Sequence, residues 1–207
     1  MIEQACTAAQ QSKSFARLCV FCGSCAGNKA LFADTARQVG TLLARMGTTL
    51  IYGGARVGLM GMVADAALAQ GGKVVGVIPK DLVGLERAHT QLTRLYRVSD
   101  MAARKDTMTQ LAEACLVLPG GIGTLDEFFE IWTASYLGNF TGPIGLLNVD
   151  DFYTPLLQTL DRQVEEGFLS QGHRDTLFVD ASPARLLERM QSYRFSSENK
   201  IFSEPKI

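Results

Sequence analysis

The sequence predicts a three-layer α/β protein, with helices packed on both faces of a mainly parallel sheet. Three observations carry that prediction. Apolar runs without polar alternation recur along the chain, helix-period segments separate them, and glycine clusters stand where three of the runs end. Strands covered on both faces read as continuous Val/Ile/Leu runs. Repeated β-α units with short links build parallel sheets with right-handed crossovers, which makes the architecture Rossmann-like.

The first run, Arg17–Cys22, leads through Gly23-Ser24 to a helix over Lys29–Met46. Leu31/Phe32, Ala36, Val39, Leu42/Leu43 and Met46 recur there at helical spacing, and Asn28 suits the N-cap. The second run, Thr48–Tyr52, enters Gly53-Gly54 and a helix over Leu59–Gln70. Gly71-Gly72 precedes the third run, Lys73–Ile78, and is expected to close the helix before it with one glycine left-handed. Pro79–Ser99 then breaks the alternation. It reads as a long polar connection carrying Glu86, Arg87, His89, Arg94 and Arg97. Long loops inside compact domains usually serve function, so it is expected to act as a lid or substrate wall.

A helix over Met101–Glu113, N-capped by Asp100, leads to the run Ala114–Leu118, to Gly120-Gly121-Ile122-Gly123 and to a helix over Leu125–Leu137. Strands at Ile144–Val149 and Leu177–Val179 and helices over Phe152–Glu166 and Pro183–Ser192 complete the pattern. With no Pro/Ser linker and no internal repeat, residues 17–193 read as one domain, 1–16 as a poorly ordered lead and 194–207 as a tail.

Composition narrows the function. A chain of 207 residues, 47% hydrophobic, buries enough surface to fold without a disulfide or metal staple. Its 20 Lys+Arg against 21 Asp+Glu leave a formal charge of −1, which argues against grip on a nucleic-acid polymer. No apolar stretch approaches the roughly 18 residues of a membrane span, and Met1–Ala16 lacks signal-peptide character, so a cytoplasmic location is expected. Cys19, Cys22 and Cys25 have C-x2-C-x2-C spacing. A strand sends Cys19 and Cys22 to opposite faces, however, so they read as sheet-packing residues and no metal site is expected. Two distant histidines, His89 and His173, give little material for a metal site or a triad.

The glycine clusters carry the chemistry. In Leu118-Pro119-Gly120-Gly121-Ile122-Gly123-Thr124-Leu125-Asp126-Glu127 a strand runs into three glycines and then a helix opening near Thr124. Glycines let backbone N–H groups approach a ligand, and the helix N-terminus adds positive potential, which together make a phosphate cradle. No Gly-Lys-Ser/Thr follows and no G-x-G-x-x-G occurs, which disfavours ATP hydrolysis and NAD binding. Glu127 has two readings: it closes a capping box on Thr124, or it faces the ligand to polarise water or stabilise a cation. Arg104 and Lys105 sit about one turn into a helix, where basic residues oppose the macrodipole and so suggest an anionic partner.

These residues together resemble a known family. Phe21-Cys22-Gly23-Ser24, Tyr52-Gly53-Gly54 with Gly58-Leu59-Met60-Gly61, Met101-x-x-Arg104-Lys105, and Pro119-Gly120-Gly121-x-Gly123-Thr124-x-x-Glu127 are similar to the LONELY GUY family. Its members are cytokinin riboside 5′-monophosphate phosphoribohydrolases, often mislabelled lysine decarboxylases. The resemblance implies release of adenine or N6-prenylated adenine from a nucleoside 5′-monophosphate, without a cofactor, by a homodimer whose site lies near the subunit interface. It implies Arg104 and Glu127 as the catalytic pair. Substrate contacts follow at Glu86, which stands 18 residues before Arg104, at Met101, Arg104 and Lys105, along Gly120, Gly121, Ile122, Gly123, Thr124, Leu125 and Asp126, and at Gly23, Ser24, Gly53 and Gly54. Many relatives carry His at Ala102, Gly at Ala55, Tyr at Ile122 and Glu at Asp126. The competing expectation is a non-catalytic nucleotide or cofactor carrier on the same fold.

Overall fold

The computed structural model describes residues 15–83 and 88–194. The lead before residue 15, the tail from 195 and Glu86 therefore lie outside the described residues. Seven strands form one sheet: β1 (Arg17–Phe21), β2 (Thr49–Tyr52), β3 (Val74–Pro79), β4 (Arg94–Val98), β5 (Ala114–Val117), β6 (Ile144–Leu147) and β7 (Leu177–Asp180). Their spatial order is β4-β3-β2-β1-β5-β6-β7 and every pairing is parallel. The expected fold class holds, with one more strand than the sequence reading allowed.

That extra strand corrects the reading of Pro79–Ser99 as an unbroken polar loop. The segment contains a 3₁₀ turn at Lys80–Leu82 and then β4, which pairs with β3 from Val75↔Arg94 to Pro79↔Val98. As an edge strand it has one neighbour, so exposed Arg94 and Arg97 can stand among half-buried Leu95, Tyr96 and Val98. Arg94 lies over the Tyr96 ring at 4.2 Å and shields it.

Helices α1 (Ala30–Arg45), α2 (Gly58–Ala69) and α7 (Pro183–Gln191) cover one face of the sheet. Helices α3 (Met101–Leu111), α4 (Ile122–Tyr136) and α5 (Thr154–Glu165), with the short α6 (Gln171–Arg174), cover the other. Strand alternation divides the core accordingly: Leu18, Val20 and Cys22 pack under α1 and α2, whereas Cys19 and Phe21 pack under α3 and α4. Cys19 and Cys22 thus diverge as expected, and burial pushes both thiols well up from their usual range. No helix among the described residues is long and apolar enough to cross a membrane.

The helix boundaries show which local signals hold. Asp100 caps α3, its Oδ1 accepting the Ala103 N–H at 2.9 Å, and Gly71 closes α2 with φ +74°. Asn28 is not the cap of α1; Lys29 holds that position without a side-chain capping bond. Helix α4 begins at Ile122 with Gly121 as its N-cap, so Thr124 stands inside the first turn. The capping-box reading of Glu127 therefore loses its capping residue, because the helix opens three residues earlier.

Candidate active site

The chain runs outward from β1 to β4, then returns to place β5 on the other side of β1. Open α/β sheets bind ligands at such a reversal, in the crevice beyond the strand ends. Three of the four glycine clusters meet there. Gly23 donates its N–H to the Pro119 carbonyl at 3.1 Å and accepts the Leu59 N–H at 3.0 Å, stitching the loops after β1 and β5 to the start of α2. A methyl group on Gly58, whose φ is +51°, would lie 2.3 Å from the Ser24 carbonyl carbon. Glycine there is what lets α2 approach the β1 loop.

Between these loops opens a cavity of about 270 Å³, bordered by Gly23–Gly27, Pro119–Gly121, Phe32, Leu59 and Phe152. Phe152 follows Asp150 and Asp151, whose φ values of +53° and +56° turn the chain sharply after β6. Lys29 ion-pairs with Asp150, and Phe32 meets Phe152 edge-on at 5.8 Å, closing that wall.

Arg104 is the most informative side chain. It projects from α3 and is only 4% exposed. Its Nη2 donates to the Gly53 carbonyl at 3.0 Å and lies 3.8 Å from Met60 Sδ, and Nη1 lies 3.5 Å from Met101 Sδ. Its Nε–H is buried without a hydrogen-bond partner among the described residues. Burying a guanidinium donor without an acceptor is costly. An anionic ligand would supply one. Gly53 admits this guanidinium, since a methyl group there would fall 1.8 Å from Nη2. Tyr52, just before Gly53, also has a buried hydroxyl without a hydrogen-bond partner among the described residues, and burial pushes its phenol far up.

Helix α4 supplies the opposite wall. Its first intrahelical bond is Leu125 N–H to Gly121 C=O, so Ile122, Gly123 and Thr124 have N–H groups without acceptors in the helix. A methyl group on Gly121 or Gly123 would meet nothing within 4 Å, so the loop is open to a ligand there. Gly120 differs: Thr124 Oγ1 would stand 2.2 Å from its methyl, so this glycine packs against the buried Thr124. Glu127 lies half-buried one turn further on. Burial raises the Cys22 thiol most, and beyond it the Glu127 carboxylate raises and the Arg104 cation lowers it; at Cys19 the same two charges follow burial and the neighbouring Cys115.

Lys105 bridges the two helices. It bonds Asp126 Oδ2 at 2.9 Å and also pairs with Glu130, and these carboxylates raise its pKa, Glu130 foremost. In this state Lys105 and Asp126 spend their charges on each other, bracing α3 against α4. Met101 and Ile122 are exposed, Leu125 is half-buried, Ser24 is exposed and Gly54 is buried at φ +78°. Sequence reasoning assigned no role to the Asp65–His89 pair, which lies against Gly54. The spacing of those residues holds no signal for it.

A parallel sheet with glycine loops at its reversal point, a helix N-terminus and a buried arginine defines a protein that takes a small phosphorylated ligand. The sequence model described as "Possible lysine decarboxylase" matches residues 60–190. Over 184 residues the chain is 44% identical to a probable cytokinin riboside 5′-monophosphate phosphoribohydrolase of Oryza sativa subsp. japonica, covering 89% of this chain and 82% of that protein. It is 42% identical over 185 residues to a cytokinin riboside 5′-monophosphate phosphoribohydrolase of Arabidopsis thaliana, covering 89% and 87%. The molybdenum cofactor binding protein of Rippkaea orientalis superposes with a TM-score of 0.66 at 20% identity, covering 85% of this chain and 95% of that one. The molybdenum cofactor carrier protein of Chlamydomonas reinhardtii gives 0.64 at 19%, covering 84% and 94%, and these two likenesses extend to the fold alone. The chain belongs to the LONELY GUY family, whose sequence model carries the lysine decarboxylase description.

Proposed function

We propose that this protein hydrolyses the N-glycosidic bond of cytokinin riboside 5′-monophosphates, AMP or both, giving free base and ribose 5-phosphate. The observation that carries the reading is Arg104: buried, with an unpartnered Nε–H, beside the open N-terminus of α4 that also bears Glu127. The phosphate binds the N–H groups of Ile122, Gly123 and Thr124 together with the Arg104 guanidinium, and Lys105 adds positive potential. Gly23, Ser24, Gly53, Gly54, Gly120, Gly121, Met101, Leu125 and Asp126 line or brace this cradle, and the family resemblance adds Glu86 as a substrate contact. Breaking the bond develops an oxocarbenium-like ribosyl cation, which the Glu127 carboxylate stabilises while orienting the attacking water. Water adds its hydroxyl to C1′, and its proton offsets the charge on the departing base.

Apolar Met101, Ile122 and Phe129, exposed by 41%, 88% and 37% on α3 and α4, support assembly as a homodimer over this edge. The test is chromatography of purified protein incubated with AMP or isopentenyladenosine monophosphate. Free base appearing in wild type and absent in Glu127→Gln is the expected result. Nucleotide binding without free base in either protein would refute hydrolysis and favour the carrier reading.

A further inference from the structure

His89 lies in the β3–β4 connection with its side chain fully buried, and both ring nitrogens are used. Nδ1 accepts the Gln91 N–H at 3.1 Å, so the ring proton sits on Nε2, which donates to Asp65 Oδ1 on α2 at 2.9 Å. The His89 N–H meanwhile donates to the Gly54 carbonyl at 2.9 Å, and the preceding residue Ala88 bridges Ala55. His89 thus joins the turn after β2 to helix α2. Those two elements are the ones that contact Arg104 Nη2, through the Gly53 carbonyl at 3.0 Å and Met60 Sδ at 3.8 Å. Gly54 leaves the turn little slack, since a methyl group there would stand 3.1–3.2 Å from Leu95, Ile78 and Val77. We propose that the part-buried His89–Asp65 hydrogen bond positions the Arg104 guanidinium, acting through the Gly53–Gly54 turn and α2.

The proposal rests on the hydrolase reading above and assigns His89 and Asp65 as positioning residues that do not touch substrate. Because His89 is the donor, the acceptor need only be an oxygen. Asn at position 65 can present one and Ala cannot. Asp65 is 47% exposed at its side chain, so neither substitution opens a cavity in the core.

The experiment measures kcat and KM on AMP, together with melting temperature, for Asp65→Asn and Asp65→Ala in wild-type and Arg104→Lys backgrounds. Asp65→Ala is expected to lose about tenfold in kcat/KM and Asp65→Asn to stay within about twofold. In the Arg104→Lys background Asp65→Ala adds no further loss, because both changes act on one guanidinium. A loss from Asp65→Ala that adds in full to that of Arg104→Lys, or an Asp65→Asn protein as impaired as Asp65→Ala, overturns the proposal. Should wild type bind AMP without releasing adenine, the function proposed above fails. The same cycle read by calorimetric AMP affinity then decides the role of His89 and Asp65 by the same criteria.

Discussion

Replacing Gly53 by alanine tests the site with a single methyl group. That methyl would stand 1.8 Å from Arg104 Nη2, 2.9 Å from Cζ and 2.9 Å from Met60 Sδ. Carbon–nitrogen contact needs nearly twice the first of these distances, so the guanidinium must retreat by roughly 1.5–2 Å. All three clashing atoms are at the ends of flexible side chains, and Gly53 is not left-handed, so the backbone can stay where it is. The fold loses the charge-assisted bond to the Gly53 carbonyl, about 1.5–3 kcal/mol. In a domain of this size that lowers Tm by about 3–12 °C and leaves the protein folded at 25 °C. Catalysis is more sensitive, because a 1 Å displacement of a catalytic group costs on the order of 100-fold. Release of base from AMP, followed by chromatography, is therefore expected to fall about 100-fold or more, with Tm read in parallel. Gly172→Ala serves as control, since its methyl meets nothing within 4 Å. A folded Gly53→Ala protein that releases base within about threefold of wild type would refute the role given to Arg104.

Glu127→Gln should lower base release by about 10²–10⁴-fold while AMP affinity by calorimetry changes only a few-fold; equal loss of binding contradicts a role confined to the reaction. Gly40 on α1 has Val63 O of α2 2.2 Å from where a methyl would stand, so Gly40→Ala should destabilise the fold by about 1–3 kcal/mol in urea unfolding. His173 stacks on Trp132 at 4.7 Å, and burial lowers its pKa from the usual 6.5. The folded state therefore disfavours the protonated ring, and stability present above pH 6.5 is lost as pH falls toward the folded-state pKa. His173→Phe, which keeps the stacking, should show a smaller drop in Tm between pH 7.5 and pH 5.5 than wild type; an equal drop sinks the assignment.

Periodicity and run length made six of the seven strands and the main helices legible, because buried parallel strands must be apolar throughout. β4 escaped for the complementary reason. Arg94-Leu95-Tyr96-Arg97-Val98 pairs on one side only, and its half-wet pattern looks like a polar connection. The start of α4 was misread because Thr124 is a good capping residue by type. Gly121 takes the cap instead, and Thr124 turns inward against Gly120. Arg104 was legible as a base misplaced near a helix start. Its burial was not, since that depends on Gly53, 51 residues away in the chain.

The glycines explain why the site could be located from sequence but its workings could not. They are alike in one-letter code and opposite in physical role. Gly23, Gly53, Gly58 and Gly120 are places where a methyl group would strike a neighbour between 1.8 and 2.9 Å away, so they let loops, a helix and a guanidinium close on one another. Gly121 and Gly123 have nothing within 4 Å, so packing does not require glycine at either position. Glycine at position 123, in the first turn of α4, still loses more backbone entropy on folding than alanine would. A residue that costs stability and fills no steric need is accounted for by what approaches it from outside. At the N-terminus of α4, where the first N–H groups have no acceptor within the helix, the visitor that the proposed function calls for is an anion held close to the backbone. The tight glycines build the walls of the site and the loose ones leave its door open, and only coordinates separate the two sets.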